Sequence, residues 1–325
     1  MATKTQLAAL CAAAACAFGA PMAQAGNLEP AGLNLGGTSF FDGFGATQPG
    51  WAYLGYYQYQ HYTSIKDNNG NDVTNIGNPK IDVWLMLNQL AYTTGTTFFN
   101  GSAHLGFTGL LPLLHFNTSA DPGSAIPLSS NDGFGDLTFG PYLQFNPVIS
   151  GGRPVYSQRI ELDIIAPTGR YSSSTNINPS SNFWSINPYW AATWLPTPKT
   201  EVSWRLHYLY NFKNKDPGLP QTSSDKAGQA AWVNFTASYA VKPDLNVGIN
   251  GYYFQQLTND TYNSAIPGIA QITGDTGKAR FLGIGPGLFW KAGPTNMWAV
   301  NLYFQTDVRN HTQGKVINIH WTHPF

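Results

Sequence analysis

Beyond residue 16 the chain contains no cysteine, because its only two, Cys11 and Cys16, both lie in the first segment. A mature protein cut after that segment has no thiol, which excludes disulfides, thiolate metal sites and cysteine nucleophiles together. Charge is scarce as well. The 17 basic and 17 acidic residues amount to 10% of the 325, against roughly 25% in an average soluble domain. With zero net charge there is no basic stripe, so nucleic acid is not expected as a partner. Long apolar runs are also missing: after the first segment nothing approaches the 18 or more consecutive apolar residues of a spanning helix. What the chain does have is rings, at 14% of residues. Few charges and many rings suit a surface that faces something other than water. With helical spans excluded, a closed β-barrel is the remaining way to satisfy backbone polar groups in lipid. A soluble sandwich or double barrel of this length is the competing reading.

The N-terminus supplies an address. Met1 to Lys4 carries one positive charge, Leu7 to Phe18 is small and apolar, and Ala23-Gln24-Ala25 offers a small-x-small cleavage site before Gly26. This three-part order is that of a secretory signal peptide, and its apolar run is too short to span a bilayer. The expected division is therefore a signal peptide over 1–25, a periplasmic or lumen-plugging segment over 26–50, and an outer-membrane barrel over 51–325.

Periodicity favours the barrel. From Arg159 to Ala166, Ile160, Leu162, Ile164 and Ala166 alternate with Arg159, Glu161, Asp163 and Ile165. From Thr200 to Lys213, Val202, Trp204, Leu206, Tyr208, Tyr210 and Phe212 alternate with Glu201, Ser203, Arg205, His207, Asn211 and Lys213. Period two over that length is a strand able to cross a bilayer while tilted. Comparable segments are Trp51–Thr63, Lys80–Tyr92, Gly101–Leu113, Phe134–Asn146, Asn182–Leu195, Ala230–Val241, Leu245–Leu257, Phe281–Lys291, Asn296–Arg309 and Lys315–Phe325. Together they predict an antiparallel up-and-down transmembrane barrel of about twelve strands, an even number as single-chain bacterial barrels require. Connections check the count. Thr93–Asn100, Pro147–Gly152, Pro196–Lys199, Lys242–Asp244 and Ala292–Thr295 are short, whereas the outward Ser64–Pro79, Leu114–Gly133, Pro167–Ser181, Asn214–Gln229 and Thr258–Arg280 are long, with one small exception at Asn310–Gly314. Such alternation fits short periplasmic turns and long external loops.

Rings and the C-terminus agree. Trp184, Trp190 and Trp194 share one strand face, with Trp194 beside the Pro196 turn, as in an aromatic girdle at a lipid headgroup. The competing reading is a sandwich core. Phe325 ends an alternating strand behind Ile317, Ile319 and Trp321, an ending similar to the one that barrel-assembly machinery reads, although His323 and Pro324 depart from it. Expected partners are thus the lipid bilayer, lipopolysaccharide and that machinery.

Two motifs carry a family resemblance. Gly133-Phe134-Gly135-Asp136-Leu137 opens one strand, and Ala166-Pro167-Thr168-Gly169-Arg170-Tyr171, then Asn182, Trp184 and Pro188, follow the next. In order and spacing they resemble the outer-membrane family named for the meta-pathway of phenol degradation, over most of the mature chain. The resemblance implies a transporter-like barrel of bacteria that consume aromatic and other apolar compounds, with no catalytic residues to carry over. Physically, Gly135 and Gly169 read as turn formers free to adopt positive φ.

Enzyme chemistry finds no foothold. There is no Gly-x-Ser-x-Gly elbow, and Gly274-Asp275-Thr276-Gly277-Lys278-Ala279 lacks the earlier glycine and the hydroxyl of a phosphate loop. His320 and His323 fall on opposite faces of a strand, which argues against a shared metal. His104, His207 and Ser203 read better as hydrated lumen groups than as a lipase site, and no cofactor is implied. The inward faces carry the candidate solute-binding residues: Arg159, Glu161, Asp163, Arg205, His207, Trp84, Tyr142, Tyr252 and Tyr303, with Asp82, His104, Asp136, Gln144, Asn234, Asn250, Asn301, Gln305 and Asp307 beside them. Charges of both signs on facing strands are expected to pair across the lumen. Such a lining suits passage of a small apolar or aromatic solute. The alternatives are a structural or surface-interaction barrel with a plugged lumen and, further off, an outer-membrane hydrolase. Intact-mass analysis of the purified membrane protein is expected to show a chain starting at Gly26 without cysteine; retention of Cys11 or Cys16 would exclude the cleavage reading.

Overall fold

The computed structural model describes residues 30, 32–122, 124, 128–218, 222–265, 271–272 and 277–325. The expected signal segment lies outside them. Twelve antiparallel strands close on themselves: β1 (Gly50–Ile65), β2 (Lys80–Phe98), β3 (Ala103–Ser119), β4 (Leu137–Phe145), β5 (Arg153–Ala166), β6 (Ser185–Trp194), β7 (Thr200–Asn211), β8 (Ala230–Lys242), β9 (Leu245–Gln256), β10 (Arg280–Lys291), β11 (Met297–Arg309) and β12 (Thr312–Pro324). Each pairs with its neighbour in sequence. Closure comes from β1 against β12, in register from Ala52 opposite Pro324 to Ile65 opposite Thr312. Among the described residues no helix is long and apolar enough to cross a membrane.

The strands fall where period two places them, with shifted ends. β2 and β3 reach Phe98 and Ser119, so the expected turn Thr93–Asn100 shrinks to residues 99–102. Phe99, Asn100 and Gly101 all take positive φ there, which lets so few residues reverse the chain.

Outward faces are apolar in the middle and aromatic at the ends. Leu162, Leu206, Leu288 and Val300 project outward. Trp184 and Trp194, at opposite ends of β6, are each about half exposed, so this strand contributes to both girdles.

Strand β2 corrects one expectation. Asp82 and Trp84 face outward, not into the lumen. Asp82 accepts hydrogen bonds from the Tyr59 hydroxyl at 2.7 Å and pairs with His61 at 2.6 Å, and Trp84 packs between Tyr59 and His115. The inward residues are Ile81, Val83, Leu85 and Leu87, all buried. On this strand the greasier face turns inward, because this side of the lumen is apolar. Asp307 also leaves the lumen: its positive φ turns it out at the end of β11, where it pairs with Arg280 at 2.5 Å. His104 sits at the short-turn end of β3, bonded to Asn146 at 2.8 Å.

Prolines interrupt several ladders of the wall. Proline has no N–H to give a ladder, so it is rare inside sheets. Between β4 and β5, pairing passes from Phe139–Ile164 to Tyr142–Glu161, skipping Gly140 and Pro141. Between β6 and β7 it passes from Ile186–Tyr210 to Tyr189–His207, skipping Asn187 and Pro188. The β5–β6 pair between them is continuous, with Leu162 opposite Pro188. A third interruption, at Gly285 and Pro286, lies between β10 and β11.

The family-like glycines work by close approach. Neither Gly135 nor Gly169 has positive φ. A Cβ on Gly169 would lie 2.7 Å from the Phe134 carbonyl oxygen, so a side chain there would part the two loops. Asp136 completes the junction, accepting hydrogen bonds from the Gly169 and Ser181 amides at 3.1 and 2.9 Å.

Outside the barrel, Thr222–Lys226, Thr261–Ser264 and Gln271–Ile272 form a small sheet. Burial raises the carboxyls of Asp225 and Asp260 there to about 6, and the Asp260 charge adds to the shift at Asp225. A carboxyl that holds its proton to a higher pH when folded than when unfolded, near 3.9 for Asp, stabilises the folded form as pH falls through 6 toward 4 and loses that contribution above 6. Amides of Thr222–Lys226 should therefore exchange hydrogen more slowly at pH 5 than at pH 7.5, after correction for intrinsic rates, and Asp260→Asn should remove most of the difference. No pH effect in the parent would refute this.

Candidate functional site

The segment before β1 enters the barrel and bonds to its inner wall. The Asn34 carbonyl accepts from Trp232 Nε1 at 3.0 Å and Asn234 Nδ2 at 2.9 Å, and the Gly36 amide donates to Asn234 Oδ1 at 3.1 Å. Tyr303 donates to the Gly36 carbonyl at 2.8 Å, and Asn318 to that of Gly37 at 3.1 Å. Lower down, the Phe41 amide donates to Glu201, and the Gly43 carbonyl accepts from Gln144 and Ser157. Two glycines are obligatory. Gly36 has φ +70°, and a Cβ there would meet the rings of Tyr252 and Tyr303 at under 3.0 Å; at Gly43 it would strike the backbone at Ala192 at 2.6 Å.

The charged residues of β5 and β7 are inward, but they do not pair with each other. Arg159 bonds Glu161 on its own strand, Nε to Oε2 at 2.8 Å, with its guanidinium 3.6 Å from the Tyr142 ring centroid. Tyr189 donates to the same Glu161 oxygen at 2.5 Å. Arg205 instead forks onto Asp42 of the inserted segment, with Nε 3.0 Å from Oδ2. Thr38 donates to that Oδ2 at 2.9 Å, and the Tyr189 ring lies beneath the guanidinium at 4.3 Å. The expected pairing across the lumen is thus a pairing of wall with insert. Asp163 borders a small void of about 30 Å³ together with Tyr56, Glu161, Tyr189 and Arg205.

Against the insert lies a cavity of about 180 Å³ lined by apolar side chains and by polar ones including Gln58, Gln60 and Gln305. Ile81, Val83 and Leu85 form one side, Tyr252 and Phe281 the other, and Leu33 with Leu35 the floor. A second hollow, of about 560 Å³, opens on the lipid side at the Pro141 and Pro188 interruptions. Leu143, Ile160, Leu162 and Leu206 line it from outside. Tyr142, Glu161, Tyr189 and His207, whose side chains point inward, border it too. Of the nine expected site residues, the structure brings Arg159, Glu161, Asp163, Arg205, His207 and Tyr142 to this side of the lumen, sets Tyr252 and Tyr303 against the insert and cavity, and leaves Trp84 outside. Ser203, His104 and His207 do not assemble: Ser203 donates to Glu201 at 2.6 Å, and His207 bonds Asn187 at 3.1 Å.

Sequence reading missed the apolar wall of β2, the contacts of the insert, and Trp232, Phe254 and Phe281. The interior prolines were an available signal for the wall interruptions.

Residues 63–321 match the family described as the putative MetA-pathway of phenol degradation. The chain belongs to that family. Among solved structures, an outer-membrane channel from Pseudomonas putida F1 aligns with a TM-score of 0.72 at 17% identity, covering 88% of this chain and 98% of that one. A deletion mutant of the TodX monoaromatic hydrocarbon channel aligns at 0.47 and 9% identity, covering 86% and 91%. The translocator domain of autotransporter NalP from Neisseria meningitidis aligns at 0.45 and 9%, covering 87% and 90%. No curated protein matches. The family member described here shares the closed-barrel fold of that outer-membrane channel, with an apolar outward band suited to a bilayer.

The insert is held by a desolvated ion pair, and breaking such a pair by removing one partner costs about 3–5 kcal/mol because the other is left buried and uncompensated. Arg205→Ala and Asp42→Ala are each expected to lower stability by about that amount in urea unfolding from lipid vesicles, and the double variant by clearly less than their sum. Additive costs would mean that the two residues act independently.

Proposed function

We propose that the barrel passes a small apolar or aromatic solute across the outer membrane, down its gradient and without energy input of its own. The observation that carries this reading is the cavity, in which apolar side chains such as Ile81, Val83, Leu85 and Phe281 stand beside polar ones such as Gln58, Gln60 and Gln305. A solute with an apolar body and a polar atom suits such a lining. The lipid-side hollow supplies a place of entry. At the Pro141 and Pro188 level the β5–β6 pair has no ladder bonds to either neighbour, so parting the wall there breaks fewer hydrogen bonds than anywhere with an intact ladder.

In this reading Tyr252 touches the solute in the cavity, Tyr142, Tyr189 and His207 meet it at the wall, and Arg159, Glu161, Asp163 and Arg205 hold wall and insert in place. Trp84 contacts lipid instead. Lipopolysaccharide would surround the outer rim, and the β12 strand ending in Phe325 would engage the assembly machinery. The channel of known structure supports transport rather than catalysis, and the family description names a pathway that consumes an aromatic compound. A second reading, a structural barrel with a closed lumen, is favoured by the many bonds that hold the insert.

Uptake of radiolabelled toluene and phenol by Gram-negative cells separates the two. Cells expressing the chain should take up both severalfold faster than cells without it, and Leu85→Trp, which fills the cavity, should remove most of the gain at equal barrel content. Equal uptake with and without the parent chain would leave the structural reading.

A further inference from the structure

One row of rings joins the two hollows. Tyr189, His207, Trp232, Phe254 and Phe281 are successive ladder partners on β6, β7, β8, β9 and β10. All are inward and buried. Ring centroids follow one another at 5.0, 4.2, 6.0 and 4.9 Å, with His207 on Trp232 and Phe254 on Phe281 stacked within 9° of parallel. The Tyr189 and His207 end borders the lipid-side hollow, and Phe281 borders the cavity.

Polar atoms along this row are taken, with one exception. The Tyr189 hydroxyl donates to Glu161 at 2.5 Å, and Trp232 Nε1 donates to the Asn34 carbonyl. His207 Nδ1 lies 3.1 Å from Asn187 Oδ1. That oxygen can only accept, so Nδ1 carries the proton and Nε2 presents a lone pair. Nε2 is buried without a hydrogen-bond partner, in a residue 5% exposed. A phenylalanine would stack on Trp232 as well and leave no acceptor unmade. Buried polar atoms without partners are uncommon and costly, and this one belongs to a residue that borders the lipid-side hollow.

Resting on the transport reading above, we propose that His207 is the specificity-determining residue of the pathway, its Nε2 accepting a hydrogen bond from the hydroxyl of a ring-bearing solute. The ring row supports the flat remainder of the molecule, since aromatic pairs gain in stacked and edge geometries beyond the area they bury. A hydroxylated aromatic is then favoured over a bare ring of equal size, and over its saturated counterpart.

Three solutes separate these terms: phenol, toluene and cyclohexanol, each radiolabelled, with initial uptake measured in Gram-negative cells and corrected for folded barrel by heat-modifiable gel mobility. His207→Phe keeps the stacked ring and removes the acceptor. It should lower the phenol-to-toluene uptake ratio about five- to tenfold, the worth of one neutral hydrogen bond, phenol uptake falling more than toluene uptake. His207→Gln, which restores an acceptor, should recover part of the ratio. Phe254→Leu should lower the phenol-to-cyclohexanol ratio and leave the phenol-to-toluene ratio alone. If the parent takes up toluene but His207→Phe leaves the phenol-to-toluene ratio as it was, the assignment of His207 fails while transport stands. If the parent takes up none of the three above background, the transport reading itself fails.

Discussion

Every backbone N–H and C=O inside a bilayer must find a partner within the protein, because the lipid offers none. Closure of β1 on β12 meets that demand for the two strands that would otherwise be edges. The same demand makes the interior prolines conspicuous. In a soluble sheet, Pro141 or Pro188 would leave carbonyls to water. In this wall the skipped pairs leave them to whatever occupies the hollow. These two interruptions fall on one register row, which runs from Pro141 through Leu162 and Pro188 to Tyr208, so together they weaken one patch of the wall.

Inside the barrel the problem is reversed. Inward polar groups have lost bulk water, and a barrel of this size has room for little solvent once side chains fill it. The insert answers this by offering backbone groups to the wall: its carbonyls at Asn34, Gly36, Gly37 and Gly43 accept from side chains of five strands. Asp42 neutralises Arg205 in the same way. The insert is thus a part of the core that arrives from outside the sheet, and it floors the cavity with Leu33 and Leu35.

The fold was legible because period two survives wherever one face meets lipid and the other does not. In β5 and β7 the alternation of Ile160, Leu162, Leu206 and Tyr208 with Glu161, Asp163, Arg205 and His207 fixed both strand and side. In β2 the same rule gave the wrong side. Ile81, Val83, Leu85 and Leu87 oppose Asp82, Trp84, Met86 and Asn88, and the purely aliphatic row is the inward one. Periodicity reports that two faces differ; it does not report which environment is the more apolar. The partner of Arg205 was illegible for another reason. Asp42 lies 163 residues away in a segment without periodicity, and only the folded chain brings the two together. The glycines of the family-like motif were noticed for the right residues and the wrong cause, since close approach of two backbones leaves no mark in a single sequence that distinguishes it from a turn.

The order of these features round the barrel is informative: the hollow lies against β3 to β7, the ring row runs from β6 to β10, and the cavity lies against β1 to β3 and β9 to β12. The Tyr189 ring that borders the hollow also packs on the Arg205 guanidinium, so hollow and Arg205–Asp42 pair meet at one residue. A solute entering between the prolines therefore presses first on Tyr189, whose hydroxyl is bound to Glu161 and whose face supports Arg205. In the transport reading, that one ring ties the place of entry to both charged pairs.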